Sequence, residues 1–202
     1  MAQVLKETVR RDILESAKEE LLIKGIKETS MRDIAKGAKM TVGNLYRYFS
    51  SKEDIIFTII RRPLLMLNSA IEDLTNARVS FTKEVLTIGK SDEDIRAILH
   101  EIANLLAEIY ARYPQEMQIL MRDTSSNERF KDWLTGLIAV LLKENSNIIF
   151  SSDDVRDTYA YAMAMSVFAG IKECFLDDKE KTRELLVDYL VSFVGLLKVE
   201  GK

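Results

Sequence analysis

SMRDIAKGAKMTVGNLYRYFSSKED, running from Ser30 to Asp54, is the stretch whose reading decides the fold. Ser30 and Asp33 have the S-x-x-D spacing of a helix start, where side chains answer the unpaired N–H groups of the first turn. Ile34 and Ala35 are the apolar pair of that helix, and Gly37 lies near its end, where glycine is favoured. Thr41 can cap a second short helix. Leu45 and Phe49 are four apart and share one face, so they point inward together. Ser50 and Glu53 are spaced as a further capping box and open a third helix. The stretch therefore predicts two short helices joined by a tight turn.

A hairpin of this kind with apolar inner faces is a helix-turn-helix, which lays its second helix in the major groove of DNA. The outward residues suit that task. Asn44 can read a base edge, and Arg47 can meet a guanine or a phosphate. Thr41, Tyr46, Tyr48 and Lys52 can hold phosphates, with Val42 beside them at the helix start. Ser30 and Met31 open a helix whose backbone N–H groups can bind another phosphate. Gly43 lets the second helix come close to the DNA backbone.

From Ile34 to Glu53 the pattern I-A-x-x-A-x-x-T-x-G-x-L-Y-x-Y-F-x-x-K-E closely resembles the DNA-binding signature of the TetR family of transcriptional regulators. The resemblance covers roughly the first quarter of the chain, counting the helix before it. Two positions depart from the family pattern. Lys39 stands where glycine is usual, and a lysine there carries a strain cost if the turn needs a positive φ. Met40 stands where valine is usual, and its flexible side chain can fill the same small apolar site.

The whole chain fits this frame. It has 202 residues, 47% apolar and 30% charged, the profile of a soluble globular protein with room for a sizeable core. The opening residues lack the apolar core of a signal peptide, and no run approaches a membrane span. The one cysteine, Cys174, rules out an internal disulfide and suits a reducing cytoplasm. Net charge is −3, against a DNA partner at first sight. Its distribution matters more: basic residues outnumber acidic ones up to Arg62, and the balance reverses beyond.

Periodicity reads as all-α throughout. Val9, Ile13, Leu14, Ala17, Leu21 and Leu22 mark a first helix ended at Gly25, which completes a three-helix head. Its Lys6, Arg10 and Arg11 can reach flanking DNA backbone or simply face water. Ile55, Ile56, Ile59 and Ile60 begin a connector that Pro63 should kink or briefly break, resuming from about Leu64 to Leu74. A less clear segment follows, closed at Gly89, and Ser91 with Asp94 starts the next helix. Five further helices carry apolar stripes: up to Tyr113, from Pro114, from Phe130 to about Asn145, from Ser152 or Asp153, and from Asp177 or Asp178. The expected domains are 1–52, the head, and 53–202, a helical ligand-binding and dimerisation body.

The last two helices are apolar on more than one face and so need a second partner surface. Ala162, Met165, Ala169, Leu186, Tyr189, Leu190, Phe193 and Leu197 are the expected dimer contacts, giving a four-helix bundle across a two-fold axis. The TetR resemblance implies the same homodimer. It also implies a body cavity for a small, largely apolar effector. His100, Tyr110, Met117, Met121, Trp133, Met163 and Phe168 are its candidate lining, although residues of these types more often fill plain core. His100, the sole histidine, reads first as a partly buried structural residue.

No catalytic set, phosphate loop, metal cluster or cofactor motif accompanies these features. The sequence thus points to a cytoplasmic, non-enzymatic, homodimeric regulator of double-stranded DNA. In this reading it is a repressor on a near-palindromic operator, released by a small molecule. The competing readings are a helical small-molecule carrier or enzyme, and a helical interaction adaptor, neither of which needs to bind DNA.

Overall fold

The structure, a computed structural model, describes residues 2–88, 92–123, 126–145, 150–175 and 178–197. Among these residues there are helices and no strands. They are α1 Ala2–Lys24, α2 Met31–Gly37, α3 Val42–Leu45, α4 Lys52–Ile88, α5 Asp92–Arg112, α6 Pro114–Arg122, α7 Glu128–Asn145, α8 Asp153–Glu173 and α9 Lys179–Leu197. The all-α reading holds. The expected signals at Gly89, Ser91 and Asp177 lie outside the described residues.

The chain forms two compact units. The first comprises 1–65 together with 115–126, the second 66–114 together with 127–202. The division falls inside α4. Pro63 does not break that helix, which runs through the proline to Ile88 and takes in the less clear segment that the sequence leaves after Leu74. A proline there gives up one backbone hydrogen bond. Ile59, Ile60, Pro63, Leu67 and Ile71 are all buried along the helix, and that burial outweighs the lost bond.

In the first unit, Ile13, Ala17 and Leu21 of α1 meet the apolar interior with Ile34, Ala35, Leu45 and Phe49. The nine-residue α6 is part of this unit. Its Met117, Ile119, Leu120 and Met121 are buried. Glu116 accepts from Lys18 of α1 at 3.2 Å, and Arg122 donates to the Leu22 carbonyl at 3.1 Å. That carbonyl belongs to the last turn of α1, where C=O groups lack helical partners and a cation is favoured.

In the second unit α5 packs along α9, and α7 along α8. Tyr110 of α5 stacks on Phe175 with ring centroids 4.8 Å apart. Phe130 of α7 lies against both Trp133 and Phe168, each at 6.0 Å. The Tyr189 ring of α9 crosses α8 at Gly170, filling the space a side chain there would need, and its hydroxyl donates to the Ser166 carbonyl at 2.9 Å. Ser152 caps α8, accepting from the Val155 N–H, and Asp178 caps α9.

Candidate nucleic-acid interface

The turn between α2 and α3 is built by its own backbone. The Met40 N–H donates to the Ala35 carbonyl at 2.9 Å, and the Lys39 N–H to Lys36 at 3.1 Å. This pair of bonds is a Schellman motif, which requires the residue after the cap in the left-handed region. That residue is Lys39, with φ of +53°. The strain expected for a lysine at this position is therefore present. Gly37 lies at the helix end as expected, as the last residue of α2, and its missing side chain makes room for the Ser16 hydroxyl, which donates to the Ile34 carbonyl at 2.9 Å.

Both ends of the hairpin are capped by side chains. Ser30 and Asp33 form the expected capping box at α2, with Lys24 bound to Asp33 at 2.9 Å. The Ser30 hydroxyl and the Lys24 ammonium hold the Asp33 carboxyl well below the usual carboxylate range. A phosphate at Ser30 and Met31 must share that helix start with this carboxylate. Thr41 caps α3, accepting from the Asn44 N–H at 3.2 Å. At α4 the side-chain cap lies one residue later than expected, and the reciprocal box does not close on it. Ser51 accepts from Asp54, whose carboxylate in turn accepts from the Ser50 N–H and hydroxyl.

α3 is only four residues long and ends at Leu45; Leu45 and, in the turn beyond it, Phe49 are buried, so the segment from Val42 to Phe49 has one fixed inner side. The opposite side carries the candidate contacts. Thr41, Gly43, Tyr46 and Arg47 are exposed, while Val42, Asn44, Tyr48 and Lys52 are half-buried. No protein atom lies within 4 Å of a Cβ built on Gly43, so nothing in the chain itself requires glycine there. Two cations from neighbouring helices reach back into the head. Lys52 donates to the Ile26 carbonyl at 2.7 Å. Arg10 donates to the Tyr48 carbonyl at 3.3 Å, with its guanidinium 4.2 Å from the centre of the Phe49 ring. Neither engagement carries a sequence signal, because both acceptors are backbone carbonyls.

The other candidate residues divide between the units. Met117 and Met121 are buried in the first. Tyr110, Trp133, Met163 and Phe168 belong to the second, as does His100, which is exposed rather than partly buried. A cavity of about 30 Å³ opens among α5, α7, α8 and α9, lined by apolar side chains including Leu99, Leu137, Met163, Val167, Leu190 and Phe193. Of the seven ligand candidates only Met163 lines it. Leu186 and Leu190 are already covered within their own chain. Ala162 and Ala169 remain exposed, with Met165, Tyr189 and Phe193 half-buried. The side chain of Leu197 lies outside the described residues. Val155 and Tyr159 extend the exposed α8 face, at 47% and 44%, and their four-residue spacing was the signal that could have marked them.

These features define a helix-turn-helix protein with a helical body. Residues 13–59, the part of the chain that holds the helix-turn-helix, match the family model of bacterial regulatory proteins of the tetR family. The HTH-type transcriptional repressor KstR2 of Mycobacterium tuberculosis is 34% identical over 68 residues, a match spanning 34% of each chain. The alignment thus covers about a third of that relative's length. Across almost the whole chain, a TetR-family transcriptional regulator from Syntrophomonas wolfei shares the fold, at 20% identity, 95% coverage of each chain and a TM-score of 0.50. Among the described residues, no helix is long and apolar enough to cross a membrane.

Proposed function

We propose that this chain is a DNA-binding transcriptional regulator acting as a homodimer in the cytoplasm, a repressor that a small, largely apolar ligand releases from a near-palindromic operator. The observation that carries the reading is the segment from Thr41 to Phe49, made of α3 and the turn that follows it, anchored by buried Leu45 and Phe49 and presenting Thr41, Gly43, Tyr46 and Arg47 outward. That is the arrangement a recognition helix needs: a fixed inner face and an outer face free for base edges and phosphates. The KstR2 match supports it, since 68 residues of a transcriptional repressor align with this chain at 34% identity.

Asn44 and Arg47 are the proposed base-reading residues, with Thr41, Tyr46, Tyr48, Lys52 and the Ser30–Met31 helix start on phosphates. The exposed face of α8, with Val155, Tyr159, Ala162 and Ala169, is the surface for the second copy. Two heads then reach half-sites about 34–36 Å apart or a multiple of that. The ligand reading rests on the all-apolar lining of the body cavity. At about 30 Å³ that cavity holds little more than one water-sized group. Ligand sites for drug-sized molecules run to about 300–1,000 Å³. The ligand therefore selects a more open body, and an opening that changes the spacing of the heads lowers operator affinity.

Retention of a random-sequence duplex by the purified protein, followed across salt concentration, tests the DNA claim. Retention that falls steeply with salt, and more shallowly for Arg47→Ala, is the expected result. No retention at any salt would turn the assignment toward a helical carrier or adaptor.

A further inference from the structure

We propose that Arg10 is a positioning residue for DNA recognition: it sets the placement of the Tyr46–Phe49 segment from α1 instead of contacting phosphate. The inference rests on the DNA-binding reading above. Arg10 is exposed and lies toward the N-terminus of α1, the place where a basic side chain is ordinarily assigned to flanking DNA. Its guanidinium is committed elsewhere. It covers the ring of Phe49, the buried anchor behind α3, at 4.2 Å, and donates to the Tyr48 carbonyl at 3.3 Å.

The position of that carbonyl explains the arrangement. α3 ends at Leu45, and the chain continues in a tight turn in which Tyr48 and Phe49 both donate back to the Leu45 carbonyl. The Tyr48 carbonyl closes this segment on the side where backbone oxygens accumulate, and a cation there is favoured. A planar guanidinium can stack on the ring and bond the carbonyl at once, which a lysine ammonium on a shorter reach cannot do. Tyr46, Arg47 and Tyr48, three of the proposed DNA contacts, lie between α3 and this clamp. Loss of the clamp lets their backbone shift while Leu45 remains in the core. Such a shift degrades the fit to one sequence without removing any charge–phosphate contact.

The test compares wild type, Arg10→Met and Arg10→Lys on two duplexes: the tightest binder recovered from a random pool, and an unrelated duplex of the same length. Each is measured across salt concentration, beside thermal melting of the free protein. For Arg10→Met the expected result is about a tenfold loss on the selected duplex, the size of a lost charge-assisted bond and ring contact. Affinity for the unrelated duplex and both salt slopes stay as in wild type. Arg10→Lys recovers part of the loss, because it keeps charge over the ring.

Equal losses on both duplexes, with the slope reduced by about one, would make Arg10 a phosphate contact and overturn the proposal. So would unchanged binding to both, or a loss fully explained by a lower folded fraction in the melting curve. Wild type that retains neither duplex would refute the DNA-binding reading itself, and the proposal with it.

Discussion

The Ser16 hydroxyl occupies the space that a side chain on Gly37 would need, and donates from there to the Ile34 carbonyl at 2.9 Å. The two residues hold α1 and α2 at close range, and both helices back the recognition segment. Gly37→Ala forces the Ser16 side chain to rotate and gives up a buried hydrogen bond. The expected cost is about 1–2 kcal/mol, read as a lower urea midpoint. Ser16→Gly in the Gly37→Ala background removes the collision but not the loss of the bond, so it should recover only part of that cost. A Gly37→Ala protein as stable as wild type would show that the close approach is absent.

Lys39 holds the left-handed position of the Schellman turn, with φ of +53°. Glycine pays no steric penalty there. Lys39→Gly is expected to stabilise the chain by about 0.5–1 kcal/mol, after allowing for the extra freedom glycine has when unfolded. Chemical denaturation checks this directly, and a lowered midpoint would contradict the strained-turn account.

Gly43 separates stability from binding. A Cβ there meets no protein atom within 4 Å, and alanine favours helix over glycine by about 0.5–1 kcal/mol. Gly43→Ala should therefore melt at the same temperature as wild type or higher. It should also bind DNA more weakly, since the added methyl faces the backbone that α3 approaches. Unchanged DNA affinity would place this face of α3 away from DNA.

Lys52 has one ammonium proton on the Ile26 carbonyl at 2.7 Å, and its remaining donors are proposed for phosphate. Lys52→Ala should then lose on two counts: about 1–2 kcal/mol of stability from the carbonyl left behind, and a salt slope for DNA shallower by about one. A salt slope equal to that of wild type would reduce Lys52 to its structural bond.

The Asp33 carboxyl titrates well below its ordinary value because the Ser30 hydroxyl and Lys24 favour its charged form. A group lowered in this way stabilises the fold above its unfolded pKa, near 3.9, and the contribution disappears as pH falls toward the folded value. Melting curves of wild type and Asp33→Asn should keep a constant separation from neutral pH to about pH 4 and converge below it. A separation that persists undiminished down to pH 2 would contradict the assigned cap.

Much of this was legible in the chain. The caps at Ser30 and Thr41, the stop at Gly25, where φ is +83°, and the inward pair Leu45 and Phe49 follow from local rules that read a few residues at a time. What escaped has a common cause. α4 runs through Pro63 because burial of residues on both sides of the proline overrides a local penalty. α6 belongs with the head through Lys18 and Glu116, almost a hundred residues apart, which no local pattern can pair. The bonds of Arg10 to the Tyr48 carbonyl and of Lys52 to the Ile26 carbonyl escaped because a lysine or arginine bonded to a backbone carbonyl leaves no partner side chain to notice. The cap at α4 slipped by one residue, since Ser50-Ser51 and Glu53-Asp54 offer two registers, and Ser51 accepts from the Asp54 N–H while the Asp54 carboxylate accepts from Ser50.

The most direct test of the central claim is selection of duplexes from a random pool by the purified full chain at near-physiological salt. A dimeric regulator should recover a near-palindrome whose half-sites lie about one helical turn apart or a multiple of it. Recovery of no preferred sequence, with or without retained DNA, would contradict a regulator that reads a symmetric operator through α3.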